Sequence, residues 1–166
     1  MTSQDAPRLT IHTDGACLGN PGPGGWAAVL VFGETRKEIS GGFARTTNNR
    51  MEILAVIKAL EALKRPSKGV LYSDSKYFLD ALNKGWLRNW KKNGWKTAAK
   101  KPVKNRDLWM RLDPLLAEHD LELKWVKGHS GDPENERCDE LAKAAAMQAV
   151  LEPDAGYEGD ALGNDP

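Results

Sequence analysis

Cysteine is scarce. Cys17 and Cys138 are the only two in 166 residues, too few for a disulfide framework, and no CxxC pair is present to hold zinc. No apolar run approaches the ~20 residues that a membrane span needs. The opening MTSQDAPRLT lacks the basic-then-apolar order of a secretory signal. Together these absences predict a cytoplasmic chain with no membrane partner, whose thiols are buried or lie beside a functional site. A local absence says more: between Lys84 and Arg106 there is no acidic residue but there are nine basic ones. The remainder holds 15 basic against 23 acidic residues, so the net charge of +1 conceals a cationic patch on an acidic body. Such asymmetry suits a polyanion held at one place on the surface. With 40% hydrophobic and 28% charged residues, the composition is otherwise that of one globular domain with a core.

Leu9, Ile11 and Thr13 alternate with Thr10, His12 and Asp14, which predicts a strand from Arg8 to Thr13 with Asp14 at its end. Trp26–Phe32 and Lys37–Phe43, separated by a turn containing Gly33, extend this to an antiparallel meander. From Ile53 to Leu63 the apolar spacing becomes helical, with Thr46, Thr47, Asn48 and Asn49 available as N-caps. Gly69–Tyr72 reads as a short strand running into Ser73-Asp74-Ser75 and a helix that carries Tyr77, Phe78, Ala81 and Leu82 on one face. A helix over Leu108–Leu116 and a strand over Leu121–Val126 follow. After a loop from Gly128 to Gly131, a last helix starts at Asp132-Pro133-Glu134 and turns Cys138, Leu141, Ala142 and Ala145 inward. From Glu152 onward five acidic and no basic residues, with almost nothing to bury, predict a disordered tail.

The expected organisation is a lead over 1–7, one α/β domain over 8–150 with a basic stretch near 84–104, and an acidic tail over 151–166. Its sheet is mixed, with strand one, the Val70 strand and the Leu121 strand parallel and helices on both faces. Sites in such sheets gather at the carboxyl ends of parallel strands, where Asp14 and Asp74 fall.

The stretch Gly22-Pro23-Gly24-Gly25-Trp26-Ala27 matches a dinucleotide fingerprint in letters only, because it leads into a strand and not a helix. A loop whose glycines permit a tight strand-to-strand crossing is the better account of Gly19–Gly25. Four carboxylates each admit two readings. Asp14 precedes Gly15 as in a hairpin, but the next strand begins more than ten residues on, against about two for an Asp-Gly hairpin. Glu52 could close a capping box with Asn49, Asp74 could cap a helix, and Asp139 could lie on the solvated face with Glu134, Glu136 and Glu140. His129 sits in a glycine-flanked loop, a place for a surface residue or for a proton shuttle. Trp86, Trp90 and Trp95 interleave with the basic run, either packing on one another or forming a nucleic-acid surface.

Taken together, TDGACLGNPGPGG, TTNNRMEILA, YSDSKY, KKPVKNRDLW and KWVKGHSGDPENERCDELA resemble type 1 ribonuclease H of the bacterial kind, in order, from Leu9 to Ala146. The resemblance implies strand order 3-2-1-4-5 with a basic helical handle, and a monomeric endonuclease that cuts the RNA strand of an RNA/DNA hybrid. It implies catalytic roles for Asp14, Glu52, Asp74, Asp139 and His129. The four carboxylates would hold two Mg2+ ions, with Mn2+ as a possible substitute, and leave a 5′-phosphate and a 3′-hydroxyl. Arg45, Thr47 and Asn105 would bind a DNA phosphate, and Asn20, Asn48 and Asn49 the minor groove. Gly15 and Cys17, in the segment up to Asn20, would read ribose 2′-hydroxyls. Trp86 and Trp90 would meet the DNA strand, with Lys91, Lys92, Lys96 and Lys100 on phosphates. A hybrid-binding module without turnover and a DNA-processing nuclease of the same fold are the alternatives. The physics agrees with the metal: converging carboxylates repel unless cations neutralise them, and oxygen-only ligands suit Mg2+ or Mn2+ rather than zinc.

Overall fold

The computed structural model describes residues 8–127, 132–148 and 151–157. The alternating segments pair as β1 (Leu9–Cys17), β2 (Gly22–Phe32) and β3 (Thr35–Thr46), an antiparallel meander. β4 (Lys68–Ser73) then adds parallel to β1, and β5 (Asp120–Trp125) parallel to β4, giving the order β3-β2-β1-β4-β5. This is the mixed five-stranded sheet expected. β1 and β2 run further than their hydrophobic alternation predicts. Gly22, Gly24 and Gly25, expected in a crossing loop, lie inside β2, so the loop shrinks to the turn before Gly22.

Helix starts follow from side chains that satisfy the free N–H groups of the first turn. Thr47 accepts from the Arg50 amide at the head of α1 (Asn48–Glu61), so the cap is not Asn49, and Glu52 is free of the capping box. Ser75 accepts from Phe78 N at the head of α2 (Lys76–Asn83), which releases Asp74 from that role. Asp132 accepts from Glu134 and Asn135 with Pro133 just inside α5 (Pro133–Ala146), as predicted. Between them lie α3 (Trp86–Lys92) and α4 (Arg106–Glu118).

The period-2 alternation of β2 splits the core into two unequal parts. Trp26, Ala28 and Leu30 face the larger one, with Ile53, Ile57 and Leu60 of α1, Phe78 of α2 and Trp109 of α4. Ala27 and Val29 face α5, which contributes Cys138 and Ala142. That second layer is thin because backbone lies on backbone: a Cβ at Gly25 would run into the Ala142 carbonyl, and one at Gly42 into that of Ala145.

The tail expectation fails for 151–157. Glu152 bridges to Phe43, the Ala44 N–H donates to the Glu152 carbonyl (2.8 Å), and Asp154 pairs with Arg50. The anchor is a backbone bridge and a buried ion pair, and a pattern of apolar residues registers neither. The rest of the expected tail, 158–166, and the lead 1–7 lie outside the described residues. Among those described, no helix is long and apolar enough to cross a membrane.

Candidate active site

The parallel ladder between β1 and β4 ends at Thr13 opposite Ser73, so Asp14 and Asp74 are the next residues on two neighbouring strands. Adjacent strands lie ~4.8 Å apart, which brings two side chains at matching positions within reach of one cation. Asp14 is thus not at the end of β1, which continues to Cys17 against β2, but at the carboxyl edge of the parallel part of the sheet. Glu52 arrives from α1. The helix can come so close because residue 15 is glycine: a Cβ there would stand 2.6 Å from Glu52 N and 2.7 Å from Met51 C. One ligand oxygen from each of Asp14, Glu52 and Asp74 lies within 4.8 Å of the others, the one such group among the described residues. They line an open cleft of about 420 Å³ with Gly15, Asn48, Asn49, Ser75, Lys76, Tyr77, Trp125 and Asp139. Asp139 therefore shares the cleft but not the cluster; its Oδ2 is held 2.9 Å from Lys143 Nζ, one turn further along α5.

Burial dominates the electrostatics. It pushes Asp14 up to about 8, with Asp74 and then Asp139 adding repulsion, while a hydrogen bond with Glu52 and one from the Gly15 amide pull it back. Glu52 is raised well above the usual carboxylate range by burial, then by the charges of Asp14 and Asp74. Asp14 and Glu52 also share a hydrogen bond, so the two carboxyls titrate as a pair. Glu52 Oε2 is buried without a hydrogen-bond partner among the described residues. Three carboxylates, one with a buried oxygen left unbonded, and no nitrogen or sulfur ligand in the cluster among the described residues fit a hard divalent cation.

The RNase H family profile matches residues 6–147. A ribonuclease H of Nitratidesulfovibrio vulgaris is 62% identical over 149 residues, which span 90% of this chain and 96% of that protein. The chain belongs to the ribonuclease H family. A ribonuclease H of Escherichia coli is 58% identical over 151 residues, 91% of this chain and 96% of the relative. Among solved structures, LC9-RNase H1, a type 1 RNase H with the type 2 active-site motif, superposes with a TM-score of 0.75 at 30% identity, over 85% of this chain and 72% of that one. This ribonuclease H is accordingly an enzyme, an endonuclease acting on the RNA strand of RNA/DNA hybrids.

Around the cleft of this ribonuclease H, the other expected residues fall into three groups. Asn48 and Asn49 line the cleft itself, and Asn20 Oδ1 accepts from the Asn48 amide (3.2 Å), tying the β1–β2 turn to α1. Cys17 Sγ donates to the carbonyls of Gly22 (3.5 Å) and Thr46 (3.4 Å), so its side chain stitches strand ends together. In the second group Arg45 is exposed, whereas Thr47 and Asn105 are buried, with Thr47 capping α1 and Asn105 accepting from Arg50 Nη1 (3.4 Å).

The third group is the handle: α3, then an irregular stretch closed by a bridge between Lys96 and Pro102. Leu87 and Val103 anchor it in the core, and Trp90 is half-buried against Trp109 (ring centroids 5.6 Å apart) with Trp86 tilted on Trp90. The packing reading thus holds for Trp90, while Trp86, tilted on it, stays exposed. Lys92, Lys96 and Lys100 are exposed, but Lys91 is spent on Asp113 of α4 (2.9 Å). His129 lies outside the described residues.

Sequence reasoning missed Trp125, half-exposed on the cleft wall with Lys76 Nζ 5.1 Å from its ring, although a lone tryptophan at a strand end was a usable signal. It also missed Lys143, four residues after Asp139 and hence on the same helix face.

Proposed function

We propose that this ribonuclease H uses Asp14, Glu52, Asp74 and Asp139 to hold two divalent cations, Mg2+ with Mn2+ as substitute, and cuts the RNA strand to leave a 5′-phosphate and a 3′-hydroxyl. The supporting observation is the convergence of Asp14 and Asp74 from matching positions of adjacent parallel strands, with Glu52 behind Gly15. Bound there, the cations supply Lewis acidity at the scissile phosphate and lower the pKa of the attacking water. The protein's own groups orient the strand. Glu52, with the Gly15–Asn20 segment, hydrogen-bonds ribose 2′-hydroxyls, the group that distinguishes RNA from DNA. Asp139 leaves Lys143 to join the other three carboxylates when charge is neutralised. His129, a few residues before α5 in sequence, moves protons or helps product leave.

Asn20, Asn48 and Asn49 address the minor groove. Arg45, Thr47 and Asn105 hold a DNA-strand phosphate whose backbone must deform to reach them, which stiff A-form RNA resists. Trp86 and Trp90 contact the DNA strand, with Lys92, Lys96 and Lys100, and Lys91 once it leaves Asp113, on its phosphates. These contacts address sugar, phosphate and shape, so sequence preference is weak. The catalytic unit is residues 8–150 together with the docked stretch 151–157, acting as a monomer in the cytoplasm. End-labelled RNA/DNA hybrid, duplex RNA and duplex DNA, each incubated with Mg2+, Mn2+ or EDTA, test the reading. Hybrid alone is cut, the RNA products carry 5′-phosphates, and EDTA stops the reaction; cutting that survives EDTA, or 3′-phosphate products, refutes the mechanism.

A further inference from the structure

We propose that Asp154 is a positioning residue for the DNA-strand contacts: through Arg50 and Thr46 it fixes Thr47 and Asn105, which makes residues 152–157 part of the hybrid-binding machinery. The proposal rests on the reading of Thr47 and Asn105 given above. Asp154 lies beyond the 6–147 span of the family profile, in a stretch whose composition suggests nothing but a solvated tail.

The geometry is a two-sided clamp on one guanidinium. Arg50 has a side chain only 2% exposed, and that of Asp154 is 9% exposed. Arg50 Nε donates to Asp154 Oδ2 (2.7 Å) and Nη2 to Oδ1 (3.1 Å), while Nη1 and Nη2 donate to the two oxygens of Asp107 (2.8 Å each). A planar group gripped along two edges by two carboxylates has one orientation left. That orientation sets the next contact, Arg50 Nη1 to Asn105 Oδ1 (3.4 Å), with the Asn105 amide nitrogen donating to the Tyr77 hydroxyl (3.4 Å).

Asn105 needs such support. Its φ of 61° is in the left-handed region, and its side chain makes no capping bond to α4. On the other flank the Thr46 hydroxyl donates to Asp154 Oδ2 (2.7 Å), and the Arg50 amide donates to Thr47 Oγ1 (3.2 Å). One carboxylate thus holds both the guanidinium that meets Asn105 and the hydroxyl of Thr46, the residue before Thr47. The segment carrying it is itself tied down by the Ala44–Glu152 bond and by the Tyr157 amide on the Asp154 carbonyl (3.1 Å).

The test measures KM and kcat on labelled hybrid with Mg2+, in the full chain and well below each variant's melting temperature. Asp154→Asn raises KM roughly fivefold to tenfold, the scale of one ordinary hydrogen bond, and leaves kcat within about twofold. Asp154→Glu recovers most of that loss. Leu30→Ala, a core truncation on β2 far from the clamp, lowers the melting temperature without moving KM. Thr46→Val breaks only the hydroxyl bond and raises KM in the same direction, which keeps the question open to measurement if Asp154→Asn does not fold. An unchanged KM in Asp154→Asn or Thr46→Val beside a raised one in Thr47→Ala overturns the positioning role. An unchanged KM in both Thr47→Ala and Asn105→Ala overturns the phosphate-pocket reading itself.

Discussion

Asp14 sits where burial and neighbouring charge both oppose its ionisation, so the residue that chemistry needs most is one that folding alone would not choose. Its carboxyl is raised from 3.8 to about 8. Between those values the folded chain binds more protons than the unfolded one, so metal-free stability falls as pH rises through that window. In EDTA the melting temperature therefore drops from about pH 5 to about pH 9, and a divalent cation restores more of it at the alkaline end. Asp14→Asn flattens that profile and melts higher than the parent at pH 8 without metal, while hybrid cleavage falls on the order of 10²–10³-fold. A parent profile that rises with pH contradicts the assignment. Gly15 gives a second residue-scale prediction. Its Cβ would meet backbone of α1 at 2.6 Å, so Gly15→Ala displaces the helix, costs about 1–3 kcal/mol in denaturant melts and weakens cation binding as Glu52 withdraws.

At the scale of elements, α5 is tied to β3 by ions along its exposed edge. Glu38 accepts from both Arg36 and Arg137, and Arg36 reaches Glu134. The hydrogen bonds from Arg137 and Arg36 lower Glu38 from 4.5 to about 2. That contribution is present above the unfolded value and is lost as pH falls from about 4.5 toward 2, so Glu38→Gln lowers the melting temperature slightly at neutral pH, flattens the acid arm of the profile, and leaves stability below about pH 2 unchanged. The handle predicts a different dependence. Neutralising Lys92, Lys96 and Lys100 weakens hybrid binding and reduces its log–log salt slope by roughly 0.9 for each phosphate no longer neutralised, whereas Lys91, paired with Asp113, changes it less. An unaltered slope means the patch faces away from substrate. The elements were legible where a period could be counted: β1, β2, α1 and α5 all follow from alternation, helical spacing and caps. Their ends were not, because Asp14 to Cys17 and Gly22 to Gly25 are held in strand by neighbours rather than by their own hydrophobicity.

For the whole molecule, the three clustered carboxylates lie 38 and 22 residues apart in sequence, and only the sheet topology joins them. Each alone read equally well as a turn, a capping box or a cap. Ordered motifs made the set recognisable, but the pairing of Asp139 with Lys143, the half-burial of Trp90 and the clamp at Asp154 depend on contacts that no local pattern encodes. The clamp bears on where the chain can be cut. Ending it after Tyr157 leaves the melting temperature unchanged, whereas ending it after Leu151 strips Arg50 of one buried partner and costs about 3–5 kcal/mol. Equal melting temperatures for the two truncations contradict this.

The thin layer under α5 also shapes how the molecule tolerates change over generations. On the α1 face, away from the one close approach at Gly15, side chains interdigitate, and a lost methylene in one residue can be offset by another nearby. On the α5 face Gly25 and Gly42 touch helix backbone, so no compensating substitution exists for an added methyl group. Variation should therefore accumulate on one side of the sheet and stall on the other, where the helix that carries Asp139 rides at a height no side chain can adjust.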